Sequence, residues 1–87
     1  MRSPLLRRYW FRFERSEKPT PLNLGCGVTA FDYEDALLLV REILFKSYDK
    51  QRITECIENP DVSQLDAGHV LPNLGDVTVR GIWFPLL

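Results

Sequence analysis

The sequence predicts an α+β fold with the element order β-β-α-β-β, in which a four-stranded mixed sheet carries one long helix on one face. Two stretches near the start of the chain alternate in hydropathy with the period of two that strands require. A third stretch, residues 32–46, spaces its apolar residues at the helical period. The 87 residues, 45% of them hydrophobic, suit one folded domain, which we expect to span residues 1–87.

The first strand is predicted at residues 9–15, where the two faces carry different side chains. One face is expected to lie in the core and presents three aromatic rings: Tyr9, Phe11 and Phe13. The opposite face is expected to lie outside and presents Arg8, Trp10 and Arg12. A loop follows, because Pro19 and Pro21 cannot donate to a central ladder.

The second strand is predicted at residues 22–30, with apolar residues at alternate positions. Its outer face has almost no side chains, because Gly25 and Gly27 occupy the middle of it. Glycine inside a strand allows another backbone or a partner to approach closely. The sequence therefore predicts an accessible backbone beside the Arg8 face of the first strand.

The helix is predicted from about residue 32 to residue 46. Asp32 is a favourable N-cap, and Asp35 stands where a capping box places its acid. Together with the strands, the helix supplies the predicted core, which consists of Leu37, Val40, Ile43, Leu44, Phe11, Phe13, Val28 and Val79.

The third strand is predicted at residues 52–58 and the fourth at residues 77–84, separated by an irregular segment at residues 61–76. A strand–helix–strand crossover is nearly always right-handed, so the second and third strands should run parallel. The first strand should lie close by and antiparallel. One helix covers one sheet face, which leaves the other face to solvent, to the irregular segment or to a partner.

The charge is unevenly distributed. The chain has a net charge of -1, but residues 1–20 carry +4 and residues 21–87 carry -5. No apolar run approaches the roughly 18 residues needed to span a bilayer, and the N-terminus lacks the apolar core of a signal peptide. We therefore expect a cytoplasmic protein without a membrane partner. Cys26 and Cys56 are then expected to be reduced thiols, with a single disulfide left open as the alternative.

The sequence does not predict an enzyme. His69 is the only histidine, so with two cysteines the chain offers three soft ligands where a structural zinc site needs four. A Cys–His nucleophile pair would lack an identifiable orienting group. We expect no catalytic residue, no metal site and no cofactor.

The outer face of the first two strands is the predicted partner-binding site. Tryptophan and arginine dominate the hot spots of protein interfaces, and the candidate residues are Arg8, Trp10, Arg12, Gly25, Gly27 and Arg80. The partner would be another protein or a second copy of the chain. The alternative is single-stranded nucleic acid, held by these arginines with Arg7 and by aromatic rings of the N-terminal and C-terminal strands. A third interpretation is that the arginine stems simply cover Trp10 and nothing binds.

Three segments resemble a group of short bacterial proteins of uncharacterised function: GCGVTAFDYEDAL (residues 25–37), HVLPNLG (69–75) and RGIWFP (80–85). In size and charge the chain also resembles the immunity proteins that bacteria pair with secreted toxins. The first resemblance implies a bacterial protein and no particular activity. The second, which concerns size and charge alone, implies an inhibitor of a partner toxin.

Overall fold

The computed structural model describes residues 5–86 and contains four strands and one long helix. The strands are β1 (Arg7–Phe13), β2 (Cys26–Ala30), β3 (Ile53–Glu58) and β4 (Gly81–Phe84). The helix, α1, comprises Tyr33–Leu39, a wide π-helical turn at Val40–Leu44 and a last turn at Phe45–Ser47. The element order and the α+β class are therefore confirmed. Arg2, part of the predicted basic stretch, lies outside the described residues.

The sheet has the strand order β3-β1-β2-β4, and every neighbouring pair is antiparallel. The prediction of a mixed sheet is wrong, because β1 lies between β2 and β3 and separates the two strands that would have formed a parallel pair. Those two strands do run in the same direction, since each is antiparallel to β1. The connection through α1 therefore crosses over β1.

The face of the sheet under α1 forms the first of two cores. Tyr9, Phe11 and Phe13 all face the helix, as the alternation predicts. Val28 from β2 and Val40 and Leu44 from α1 are fully buried in this core, and Leu37 packs against it partly buried. The predicted N-cap is also confirmed, since an Asp32 carboxylate oxygen accepts from the Asp35 N–H at 2.8 Å.

Two predicted core residues are exposed instead. Ile43 is 40% exposed, because the π-helical turn at Val40–Leu44 adds a residue per turn and brings Leu44 rather than Ile43 to the sheet. Val79 is 57% exposed, because the fourth strand starts only at Gly81. Residues 77–80 form turns and bends rather than a strand, so the alternation that places Val79 inside does not apply.

The second core lies on the opposite sheet face, under the irregular chain between β3 and β4. It is built from Trp10, Val70, Trp83 and Phe84, with partly buried apolar residues around them. The Val77 carbonyl attaches the covering chain to the sheet by accepting from the Thr29 hydroxyl at 2.6 Å. The sequence leaves this face to solvent, to the irregular segment or to a partner. The structure shows the irregular segment there.

Both cysteines are free thiols, Cys26 fully buried and Cys56 half-buried. Within residues 5–86, no helix has the length and apolar composition that crossing a membrane requires.

Candidate interaction surface

Trp10 does not serve as an exposed anchor, and its predicted exposure is wrong. The side chain is 2% exposed and packs against Trp83 and Phe84, with ring centroids 5.8 Å away in each case. Burial of an indole ring contributes strongly to a core because the ring removes a large apolar area from water. The physical reason for the difference is the covering segment, whose apolar residues have no periodicity from which their position could be inferred.

Gly25 and Gly27 are also buried, and the chain's own tryptophans occupy the space they leave. A methyl carbon added to Gly25 would lie 2.5 Å from Trp10 Cζ2, and one added to Gly27 would overlap the Trp83 ring. Gly25 moreover has φ +128°, a conformation that residues with a side chain rarely adopt. The predicted close approach is therefore present, but it is intramolecular, and no partner can reach these two glycines.

Arg8 and Arg12 lie on the surface, as predicted, and both are engaged within the chain. Arg12 Nε is 3.2 Å from a Glu55 carboxylate oxygen on the neighbouring strand. Arg8 Nε donates to the Val77 carbonyl at 3.2 Å, so this side chain also holds the covering segment. Exposed pairs of this kind contribute little to stability, but they orient the arginines along the sheet.

Arg80 connects the start of β4 to the start of α1. Its Nε donates to Asp35 Oδ2 at 2.8 Å, and a second nitrogen bonds the other oxygen of the same carboxylate. The guanidinium also lies over the Phe31 ring, 5.4 Å from its centroid. The hydrogen bonds from Arg80 lower the pKa of Asp35 below its ordinary value, because they stabilise the ionised carboxylate.

The candidate nucleophiles and His69 lie in different parts of the structure. Cys26 belongs to the helix-side core, where burial raises the pKa of its thiol. His69 lies on the other side of the sheet in the covering segment, with Nδ1 3.4 Å from an Asp66 carboxylate oxygen. Over residues 5–86, no three side chains of His, Cys, Asp or Glu are grouped closely enough to hold a metal ion.

Exposed apolar side chains gather at one end of the sheet. Five of the nine large apolar side chains exposed among the described residues lie there, and we call them the sheet-end patch: Leu5, Leu6, Phe31, Tyr33 and Val79. The antiparallel topology places them at the same end of the sheet, because β1 begins, β2 ends, α1 begins and β4 begins there. An open groove of about 590 Å³ adjoins the patch at Tyr33 and extends along α1 past Leu37 and Leu38.

Charged residues of both signs surround the sheet-end patch. Seven of them lie at the ends of the same elements: Arg7, Arg8, Arg80, Asp32, Glu34, Asp35 and Glu58. Two ion pairs form within this rim, Arg7 with Glu58 at 3.1 Å and Arg80 with Asp35. An apolar centre with a polar, charged rim is the anatomy of a protein interface.

Of the six predicted site residues, Arg8 and Arg80 lie beside this patch, and the patch itself was not predicted from the sequence. The signal was present in part, since Leu5 and Leu6 lie three to four residues before the first predicted strand and Phe31 directly follows the second. Antiparallel pairing of those strands would bring the three together.

Comparisons with family models, curated proteins and solved structures returned no match. The resemblance to short bacterial proteins therefore stays a prediction.

Proposed function

We propose that the chain is a small, non-enzymatic protein-interaction module that docks its partner at the sheet-end patch. The observation that carries this proposal is the concentration of exposed apolar side chains at one end of a sheet whose two faces are both covered. Exposed apolar side chains that are set together and rimmed by polar residues mark binding sites on monomeric proteins. The partner-binding role predicted for Arg8 and Arg80 is retained, because both belong to the rim.

Nucleic acid receives less support from the arrangement of the cations. Arg7, Arg12 and Arg80 each pair with a carboxylate, and Arg8 bonds a backbone carbonyl. Phosphate recognition instead needs cations that are available to neutralise phosphates. The two tryptophans that would stack on bases are both buried.

An immunity-type inhibitor of a bacterial toxin is the most specific form of the proposal. It is supported by the small size of the chain and by the excess of five negative charges in residues 21–87, which would attract a basic toxin. The proposal of an immunity-type inhibitor rests on analogy in size and charge. It does not change which residues form the docking surface.

The first experiment captures partners from a lysate of the source organism on the immobilised chain and identifies them by mass spectrometry. Leu6→Asp places a charge in the sheet-end patch, and Leu24→Asp is the matched control, because these leucines are 41% and 38% exposed. We expect the wild type and Leu24→Asp to retain a protein even after nuclease treatment. Leu6→Asp should not retain it. Equal retention by both variants would contradict docking at this patch, and nuclease-sensitive recovery would favour nucleic acid.

A further inference from the structure

We propose that the sheet-end patch takes a second copy of this chain, forming a two-fold symmetric dimer. This inference rests on the proposed docking surface and names its occupant. In a two-fold interface the same surface patch meets itself, so the patch must be complementary to its own rotated copy. The distribution of charge around the sheet-end patch meets that requirement.

The rim divides into a basic and an acidic side. The β1 side carries two arginines, Arg7 and Arg8, against one carboxylate, Glu58. The α1 side carries three carboxylates, Asp32, Glu34 and Asp35, against one arginine, Arg80. A two-fold rotation over the patch can set the β1 side of one copy against the α1 side of the other. Opposite charges would then meet twice, once on each side of the axis.

Some of these charges remain unpaired within one copy. Within residues 5–86, Asp32 and Glu34 make no ion pair, and Arg8 has only a backbone carbonyl as its partner. The paired members of the rim neutralise one another, so the charges without an ion partner are Arg8 on one side and Asp32 and Glu34 on the other. Asp32 also caps α1 through one carboxylate oxygen, so Glu34 is the acid with no bond of its own to give up.

The balance of the rim favours a copy over a strongly charged partner. Three arginines stand against four carboxylates, so the rim as a whole selects neither a basic nor an acidic protein. A surface of mixed sign recognises a partner of mixed sign, and the most available partner with the matching pattern is the same chain.

The dimer is expected to be weak. A stable interface buries roughly 800 Å² on each partner, which five partly exposed side chains do not supply without the surrounding rim. We therefore expect a dissociation constant on the order of 10–100 µM. The affinity should fall as salt rises, because the rim pairs are exposed to solvent.

Analytical ultracentrifugation of the full chain, between about 5 and 500 µM, tests the inference directly. The wild type and Leu24→Asp should show the same monomer–dimer equilibrium, and Leu6→Asp should raise the dissociation constant at least about tenfold. A wild type that stays monomeric throughout this range would overturn the dimer. So would a Leu24→Asp variant that dissociates as readily as Leu6→Asp.

A charge exchange tests the predicted orientation without relying on one substitution. Arg8→Glu and Glu34→Arg should each weaken the dimer several-fold, and the double variant should restore it, because the signs are then exchanged across the axis. Circular dichroism confirms that each variant is folded. Two single losses without recovery in the double variant would overturn the proposed pairing of the two sides.

The dimer and the docking surface can fail separately. A monomeric chain that loses a captured protein only in Leu6→Asp would refute the dimer and leave the proposed interaction function standing. Equal behaviour of Leu6→Asp and Leu24→Asp in both capture and sedimentation would refute the docking surface and the dimer together.

Discussion

Gly27 is the residue at which the packing of the second core is most restrictive. A methyl group there would overlap the Trp83 ring, which is itself 1% exposed and enclosed by the covering segment. Because neither the ring nor the β2 backbone can move freely, we expect Gly27→Ala to lower the free energy of unfolding by about 2–3 kcal/mol. Urea unfolding followed by tryptophan fluorescence measures this loss.

Gly68→Ala is the control for that substitution. Its added carbon would lie 3.4 Å from an Asp66 carboxylate oxygen, an ordinary contact in an exposed turn. Its stability should stay within about 0.5–1 kcal/mol of the wild type. If Gly27→Ala were as stable as Gly68→Ala, the close packing of Trp83 on β2 would be refuted.

At the scale of the helix, the π-helical turn Val40–Leu44 contains apolar residues in different surroundings. Val40 is fully buried in the helix-side core, whereas Ile43 is 40% exposed beyond the start of the turn. Val40→Asp would bury a charge without a partner and should unfold the domain, a loss of more than about 4 kcal/mol. Ile43→Asp should cost less than about 1 kcal/mol, because its carboxylate can reach water.

Circular dichroism at 222 nm during thermal unfolding compares the two helix variants. A regular helix without the wide turn would direct residue 43 toward the sheet, and Ile43→Asp would then be nearly as damaging as Val40→Asp. Equal damage would therefore show that the helix is regular in solution.

The contact between α1 and the start of β4 should give the fold a pH dependence. The Arg80 hydrogen bonds lower the pKa of Asp35 in the folded state below the unfolded value of about 3.9. A lowered folded pKa means that ionised Asp35 stabilises the fold above the unfolded pKa. This contribution is lost as the pH falls through the folded pKa.

We expect Asp35→Asn to be less stable than the wild type at pH 7 and the two proteins to converge as the pH falls below about 4. The urea midpoint measured from pH 7 downward gives both curves. Glu34→Gln is the control, because Glu34 is exposed and makes no ion pair within residues 5–86. Its plot of urea midpoint against pH should run parallel to that of the wild type. If the urea midpoints of Asp35→Asn and the wild type differed by the same amount at every pH, the stabilisation by ionised Asp35 would be refuted.

At the scale of the whole molecule, features that depend on neighbouring residues could be predicted from the sequence. Alternation placed Phe11 and Phe13 inside, and the spacing of Asp32 and Asp35 located the helix start. Features that join distant parts of the chain could not be predicted. The space over Gly27 is filled by Trp83, and the irregular segment that carries Val70 has no period from which its position over the sheet could be inferred.

The sheet-end patch could not be predicted for the same reason. Its residues come from the ends of four elements, which meet because β2 pairs antiparallel with both β1 and β4. The pairing of β4 with β2, which brings Val79 to this end, joins segments about 50 residues apart and has no local signal in the sequence. The candidate site therefore depends on the topology, whereas the core residues depend mainly on local patterns.

The two cores share β1, so they should unfold together. Phe11 belongs to the helix-side core and Trp10 to the core under the covering segment, and one strand carries both. Val70→Ala, a truncation in the second core only, should cost about 2 kcal/mol and lower the melting temperature by roughly 10 °C.

The loss of stability in Val70→Ala should be the same by two probes of unfolding. One is tryptophan fluorescence, which reports on Trp10 and Trp83, and the other is the circular dichroism signal of α1. Coincident transitions are the mark of a single cooperative unit. Val79 is 57% exposed, so Val79→Ala should leave the melting temperature nearly unchanged in both signals. A fluorescence transition that precedes the loss of helix would show instead that the covering segment opens separately from the sheet, which would leave Trp10 and the β2 glycines accessible in the opened state.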